Sequence, residues 1–197
     1  LQVIFLSRVN ASDFPEGLTA SDFPPSVWDI EVSITNITTF PPEIATAWSK
    51  VVLISLEGSP ELTEFPDLLT TLPSLCVLNL AMNSIKAIPK IALAACMIWE
   101  VNMNGNPVER LPDGLGDVDS LDSLDFVDTK IDAIPTSWMG VTSSTGRHST
   151  MRAAGTPLCE SNRVVMPAWL VINCEVPLGG LFMYPIQEED VWRSTNK

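Results

Sequence analysis

The chain has 197 residues, 46% of them hydrophobic, which fits a single folded domain better than a two-domain enzyme or a disordered chain. It carries 24 acidic and 11 basic side chains, giving a formal net charge of -13. A nucleic-acid binder needs a basic surface to hold phosphates, so this charge argues against that function.

Turn-forming residues are frequent: 16 prolines and 10 glycines predict many short elements joined by turns rather than long helices. The most apolar run, 164–172, is short and contains Pro167, so we predict no membrane-spanning segment. The sequence begins at Leu1 inside an apolar run without an initiator Met, which we interpret as a fragment or a processed form.

A pattern of apolar residues recurs along the chain. Its three most regular copies begin at Leu75, Ile98 and Leu121, at intervals of 23 residues. The first copy has these residues: Leu75, Leu78, Leu80, Asn83, Ile85 and Ile88-Pro89. Less regular copies begin at Leu1, Val27, Val51 and Met151. Such self-similarity predicts units that stack on one another and share one core.

This pattern resembles the leucine-rich repeat, LxxLxLxxNxLxxLP, over residues 1–159. The resemblance implies an α/β solenoid, a curved stack of coils with a short-stranded parallel sheet on its concave face. The convex side is then irregular or built of short helices. We expect a solenoid of six to seven turns at 1–158, a carboxy-terminal cap at 159–175 and a tail at 176–197.

The ninth position of the repeat is occupied by Asn83 and Asn106 in the regular copies. We expect these side chains to bond backbone groups of adjacent coils that would otherwise be buried without a partner. The same register predicts that Leu78, Val101 and Leu124 lie side by side on adjacent parallel strands.

The segment that contains Cys159 and Cys174 is similar to the carboxy-terminal cap of extracellular leucine-rich repeat proteins. This similarity implies a Cys159–Cys174 disulfide, and two buried free thiols are the alternative. Cys76 and Cys96 fall in neighbouring turns, where a bridge and two buried thiols are both open.

Two N-glycosylation sequons are present, Asn10-Ala-Ser12 and Asn36-Ile-Thr38. Both asparagines follow the turn residue of a repeat, at a position that points to solvent and tolerates a glycan. Together with the cap cysteines, they favour an extracellular or cell-surface location. Unused sequons on exposed turns would fit the cytoplasmic alternative.

Catalytic and metal-binding patterns are not apparent. His148 is the only histidine and lies in a Gly/Ser/Thr-rich loop without a Cys or Ser partner at motif spacing. The aspartates between Asp117 and Asp132 lack the loop that wraps calcium, so we interpret them as a solvated acidic face. We therefore predict no enzymatic activity, no metal site and no cofactor.

The strand positions that alternate with core residues supply the ligand-binding candidates. These candidates are Glu31, Glu57, Asn79, Glu100, Asn102, Asn104, Asp125, Asp128 and Arg152. Their mixture of amides and charges suits a protein or peptide, and the acidic field favours a basic partner. We predict no nucleic-acid contact, membrane attachment only through segments outside this sequence, and no particular oligomeric state.

Three functions follow from the resemblance. The leading hypothesis is a non-catalytic, receptor-like module that recognises a protein or peptide on its concave face outside the cell. The second is a structural component of a cell-wall, adhesion or appendage assembly, which broad apolar patches on the convex side or tail would favour. The third is an intracellular scaffold similar to the Ras-group leucine-rich repeat proteins, which reduced cap cysteines and unglycosylated sequons would favour.

Overall fold

The computed structural model describes residues 2–89, 98–114, 118–161 and 165–175. Its strands form one open parallel sheet of eight strands, in which strands consecutive in the chain are neighbours. The strands are β1 (Val3–Ser7), β2 (Asp29–Ser33), β3 (Leu53–Glu57), β4 (Val77–Asn79), β5 (Glu100–Asn102), β6 (Ser123–Asp125), β7 (Ser149–Arg152) and β8 (Leu170–Asn173). This is a solenoid-like α/β fold.

Short helices lie on the segments that return from one strand to the next. They are α1 (Glu16–Thr19), α2 (Ile44–Ala47), α3 (Pro157–Glu160) and two 3₁₀ helices (Asp67–Thr71 and Thr136–Gly140). None of the helices in the described ranges has the length and apolarity that crossing a bilayer requires.

The strand register is the one predicted from the repeat. Leu78 pairs with Val101, and Val101 pairs with Leu124, on adjacent parallel strands. All three side chains are fully buried, in one core cluster with Ile30 and Ile54 of the earlier strands. Because side chains alternate between the two faces of a strand, the same register also fixes which residues lie on the opposite face.

The return segments close the core on its second side. Leu18, Ile44, Leu69 and Trp138 of these segments are buried in the core. The indole N–H of Trp138 donates to the carbonyl of Pro112 at 2.9 Å. Trp48 donates in the same way to Leu18 at 2.8 Å. Each of these buried tryptophans therefore bonds the backbone of the preceding coil as well as filling the core.

The ninth-position asparagines bond neighbouring coils as predicted. The side-chain oxygen of Asn106 accepts from the Ile85 amide at 3.0 Å. Its side-chain nitrogen donates to the carbonyls of Leu80 at 2.7 Å and Met103 at 3.0 Å. Asn83 makes the corresponding bonds one coil earlier. Buried backbone groups of adjacent turns are satisfied by these side chains.

The residue before the ninth position has a positive φ in seven coils, a feature that the repeat pattern did not predict. These residues are Arg8, Ile34, Gly58, Met82, Gly105, Asp128 and Gly155. The φ of Ile34 is 56°, which is costly for a β-branched side chain. Its amide donates to the carbonyl of Glu57 in the next coil at 2.8 Å, and the Met82 amide donates likewise to Asn104 at 2.7 Å. The left-handed residue thus continues the bonds between coils past the end of each strand.

The predicted cap continues the sheet, because β8 pairs in parallel with β7. Cys159 and Cys174 form the expected disulfide, with their Cα atoms 5.6 Å apart. The bridge joins α3 to the end of β8. Cys76 is a free cysteine. Cys96 and the predicted tail at 176–197 lie outside the described residues.

Replacement of Asn106 by Ala should lower the free energy of unfolding by about 1–3 kcal/mol, because buried backbone groups of two coils lose their partner. Urea denaturation followed by circular dichroism measures this change. Lys86→Ala, at an exposed position, is the control and should leave the midpoint unchanged. An unchanged midpoint for Asn106→Ala would contradict the role of this side chain.

Candidate recognition surface

The side chains that alternate with the core residues form the second face of the sheet, which we call the polar face. Register places one residue of each strand in its central row. The row consists of Phe5, Glu31, Ser55, Asn79, Asn102, Asp125, Arg152 and Asn173. Polar residues from the seven neighbouring strands β2 to β8 therefore follow one another at the strand spacing of about 4.8 Å.

The middle of the polar face is held by bonds that its side chains make to one another and to the backbone. The Asn79 side-chain nitrogen donates to Ser55 Oγ at 3.0 Å and to Glu57 Oε1 in the preceding coil. Asn102 Oδ1 accepts from the backbone amide of Asn104 at 2.9 Å, and Asn104 Oδ1 accepts from the backbone amide of Val127 in the next coil at 2.6 Å. We expected Asn79, Asn102, Asn104 and Glu57 to face solvent, but all of them are buried. Their polar groups therefore bond the protein instead of water.

An ion pair holds the central row near the carboxy-terminal end of the sheet. The Arg152 guanidinium makes two bonds to the Asp125 carboxylate, at 2.5 and 2.6 Å, and a third to Ser123 Oγ at 3.2 Å. Asp125 is buried, whereas Arg152 is half-buried. The bonds to Asp125 raise the pKa of Arg152 above its ordinary value. This two-bond geometry fixes the guanidinium plane on the face.

Four of the nine predicted ligand-binding residues remain accessible on the polar face. Glu31, Glu100 and Arg152 are half-buried, and Asp128 is exposed. The other five candidates are the buried residues Glu57, Asn79, Asn102, Asn104 and Asp125. The structure thus limits direct contact with a partner to the first four, and ligand binding by any of them stays a prediction.

Glu31 lies at the amino-terminal end of the face among other carboxylates. Burial raises the pKa of Glu31, and the charges of Asp29 and Glu57 raise it further. The neighbouring Asp29 is itself buried, and its Oδ1 has no hydrogen-bond partner among the described residues. This end of the face therefore has more negative acceptors than donors.

Glu100 lies three strands away, in the register row of Asp29 and two residues before the central row. Burial is again the largest cause of its raised pKa, with further contributions from Asp125 and Asp122 that outweigh the opposite effect of Arg152. Glu31 and Glu100 are thus two accessible carboxylates whose ionisation their surroundings disfavour.

Two of the aspartates that we interpreted as a solvated acidic face also hold a later segment of the chain, whereas Asp128 and Asp132 are exposed as expected. Asp119 accepts bonds from the hydroxyls of Ser143, at 2.6 Å, and Ser144. These bonds keep the pKa of Asp119 well below its usual range. Asp122 pairs with Arg147 at 3.3 Å. The loop that contains His148 is therefore attached to the preceding coil; Asp117 lies outside the described residues.

The two sequons lie side by side on adjacent coils. The Asn36 amide nitrogen donates to Asn10 Oδ1 at 2.7 Å, and both residues are exposed. Their glycosylation stays a prediction. The part of the chain that the structure describes contains no group of three or more His, Cys, Asp or Glu residues that could hold a metal ion.

Two exposed tryptophans were missed by the sequence analysis. Trp28 and Trp99 occupy the second position of their repeats and are 44% and 51% exposed. Trp99 lines an open pocket of about 420 Å³ together with Glu100, Asp122 and Arg147. The sequence did contain a signal for this exposure, because each tryptophan is a large apolar residue at a repeat position outside the core pattern.

No protein-family model matches this chain, and no curated protein is similar to it in sequence. The functional assignment accordingly depends on the geometry of the polar face and of its edges.

Glu31→Gln should raise the free energy of unfolding at pH 7, because it removes a charge that burial and two carboxylates disfavour. A carboxyl with a raised pKa in the folded state destabilises the fold when ionised. The gain over the unmodified chain should therefore shrink as pH falls through that pKa and the native glutamate becomes protonated. Urea midpoints at pH 7 and pH 4 measure it, with exposed Glu16→Gln on α1 as the matched control. Loss of stability at pH 7 would contradict the assigned environment.

Proposed function

We propose that this chain is a non-catalytic recognition module of the leucine-rich repeat type, which binds a basic protein or peptide through its polar face outside the cell. The observation that carries the proposal is the presence of two accessible carboxylates, Glu31 and Glu100, whose ionisation is disfavoured by burial and by neighbouring carboxylates, on a sheet surface fixed by its own hydrogen bonds. Such carboxylates destabilise the free protein and gain a partner when a cation binds.

Preorganisation supports binding over a purely structural role for this face. The bonds of Asn79, Asn102 and Asn104 hold the middle of the face in one arrangement. A partner therefore meets a surface that loses little side-chain freedom on binding, which lowers the entropic cost of association.

Long-range electrostatics supports a basic partner. The chain has a formal net charge of -13. Arg152 on the polar face and Arg147 in the loop before β7 are already paired with Asp125 and Asp122. A basic partner is attracted to such a surface and an acidic one repelled, so the charge contributes to both association rate and selectivity.

The location outside the cell is supported by the Cys159–Cys174 disulfide and by the exposure of both sequons. Disulfides persist in oxidising compartments and are rare in the cytosol. The intracellular scaffold remains the alternative to be tested by the state of Asn10 and Asn36.

A role in an assembly is the second candidate, and one observation favours it. Val165, Met166 and Val171, near the carboxy-terminal end of the sheet, are 70%, 49% and 50% exposed. Several exposed apolar side chains within one short segment are a feature that contact surfaces share. In this case Met166→Lys should disperse a self-associated species seen by sedimentation, without weakening the binding of basic peptides.

The double variant Glu31→Gln/Glu100→Gln should bind a fluorescein-labelled peptide of nine lysines about three- to tenfold more weakly than the native chain, as expected for the loss of two partly exposed ion pairs. Fluorescence anisotropy at low salt measures the affinity. Glu16→Gln/Glu43→Gln removes the same charge from exposed positions on the return segments. An equal loss in this control would show attraction by net charge alone and would contradict recognition by the polar face.

Protein purified from its native source should carry a glycan on Asn10, Asn36 or both, because each is an exposed sequon asparagine in a chain that we place outside the cell. Mass spectrometry of the peptides before and after glycosidase treatment measures the occupancy. If both asparagines are unmodified and Cys159 and Cys174 can be alkylated without reduction, the result would contradict an extracellular location and favour the intracellular scaffold.

A further inference from the structure

An apolar stripe runs along the amino-terminal edge of the sheet, where strands β2 to β5 begin. We call it the tryptophan stripe, and its residues are Trp28, Val52, Cys76 and Trp99. The Val52 amide donates to the Trp28 carbonyl at 2.8 Å, Cys76 to Val52 at 2.8 Å and Trp99 to Cys76 at 2.9 Å. These four residues are therefore direct neighbours on consecutive coils.

The stripe is accessible along its whole length. The two terminal indoles are about half-exposed, and Val52 and Cys76 between them are half-buried. Leu53 and Val77, also half-buried, widen the stripe toward the polar face. Exposed tryptophans are costly to leave in water and are over-represented among the residues that contribute most to binding. This edge therefore has the composition of a contact surface.

Each end of the stripe combines an indole with a carboxylate. Trp28 directly precedes Asp29, which shares the register row of Glu100, and the accessible Glu31 lies three residues from Trp28 along the same strand, about 10 Å away. At the other end, Trp99 and Glu100 line the same open pocket of about 420 Å³. The pocket arginine, Arg147, is paired with Asp122. An indole face beside a carboxylate attracts a guanidinium or an ammonium group through both a cation–π contact and an ion pair.

The distance between the two ends defines the spacing of the groups that they can bind. Strands β2 and β5 are separated by three strand intervals, about 14 Å at about 4.8 Å per interval. An extended peptide rises about 3.3 Å per residue, so four residues cover about 13 Å. Side chains at i, i+2 and i+4 of such a peptide point to the same side.

We infer that the tryptophan stripe binds an extended segment of a partner protein with basic side chains at i and i+4 and an apolar side chain at i+2. The first cation contacts the Trp28 indole and is attracted by the nearby charges of Asp29 and Glu31, and the second enters the pocket of Trp99 and Glu100. The apolar side chain packs on Val52 and Cys76. This inference depends on the proposed function. It adds the place on the chain where the partner binds and the spacing of the partner's side chains that is recognised. A second copy of the chain fits poorly, because two molecules of net charge -13 repel.

Two capped heptapeptides of identical composition test the pattern. In Ser-Arg-Thr-Val-Thr-Arg-Ser the arginines are four residues apart, with valine between them; in Ser-Arg-Arg-Val-Thr-Thr-Ser they are adjacent. Isothermal titration calorimetry at low salt should show about fivefold tighter binding of the spaced peptide, since the adjacent arginines reach one end of the stripe only.

Variants of the stripe assign this preference to its residues. Trp28→Ala and Trp99→Ala should each reduce the affinities of the two peptides to the same value. Val171→Ala, which truncates an exposed residue at the opposite end of the sheet, should keep the fivefold preference. Glu100→Gln changes no apolar contact and should also abolish the preference, so the result does not depend on how an alanine variant folds.

Three results would overturn the inference. The native chain could bind both peptides with equal affinity, it could bind neither, or its preference for the spaced peptide could persist in both tryptophan variants. If both peptides bind equally and Glu31→Gln/Glu100→Gln weakens both, the proposed function stands and only the stripe is wrong. If the nine-lysine peptide also fails to bind, the proposed function is wrong as well. A dimer of the native chain that Trp99→Ala dissociates would show a second copy on the stripe and would likewise overturn the inference.

Discussion

The structure depends on the hydrogen bonds that join each coil to the next. A single coil of about two dozen residues cannot bury its own apolar side or satisfy its own backbone, so its stability comes from its neighbours. The parallel ladder, the left-handed residue after each strand and the side chains of Asn83 and Asn106 all bond from one coil to another. Because these bonds require one fixed register, they also fix which side chains share the core and which share the polar face.

The same bonds between coils divide the polar face into a middle, whose polar side chains are buried and hydrogen-bonded within the protein, and edges that are accessible to a partner. In the middle, Asn79 and Asn104 bond adjacent coils and Asn102 bonds the backbone of its own coil, so this region contributes rigidity more than contact. The accessible charges, Glu31 and Glu100, lie where burial and then neighbouring carboxylates oppose their ionisation. Their environment is consistent with a surface that is completed by a basic partner.

Segments that look like simple acidic or flexible sequence have structural roles at the carboxy-terminal end. Asp119 and Asp122 attach the Ser/Thr-rich loop that contains Ser143 and Arg147, and Asp125 holds Arg152 on the face. β8 then extends the sheet past the last regular repeat, and the disulfide ties the end of this strand to α3.

The sequence by itself determined the period, and with it the parallel register of Leu78, Val101 and Leu124 and the bonds of Asn106. These features repeat from coil to coil, so a pattern of residue types is enough to specify them. The Cys159–Cys174 bridge occurs once, so the period does not specify it; the sequence left two free thiols as the alternative, and the structure shows the disulfide. Only the tertiary structure decided which polar residues remain accessible, which aspartates hold loops and where Trp28 and Trp99 form one edge. Accessibility of a side chain depends on the length and chemistry of its neighbours about one coil away, and a repeat pattern contains no information on those residues because they occupy its variable positions.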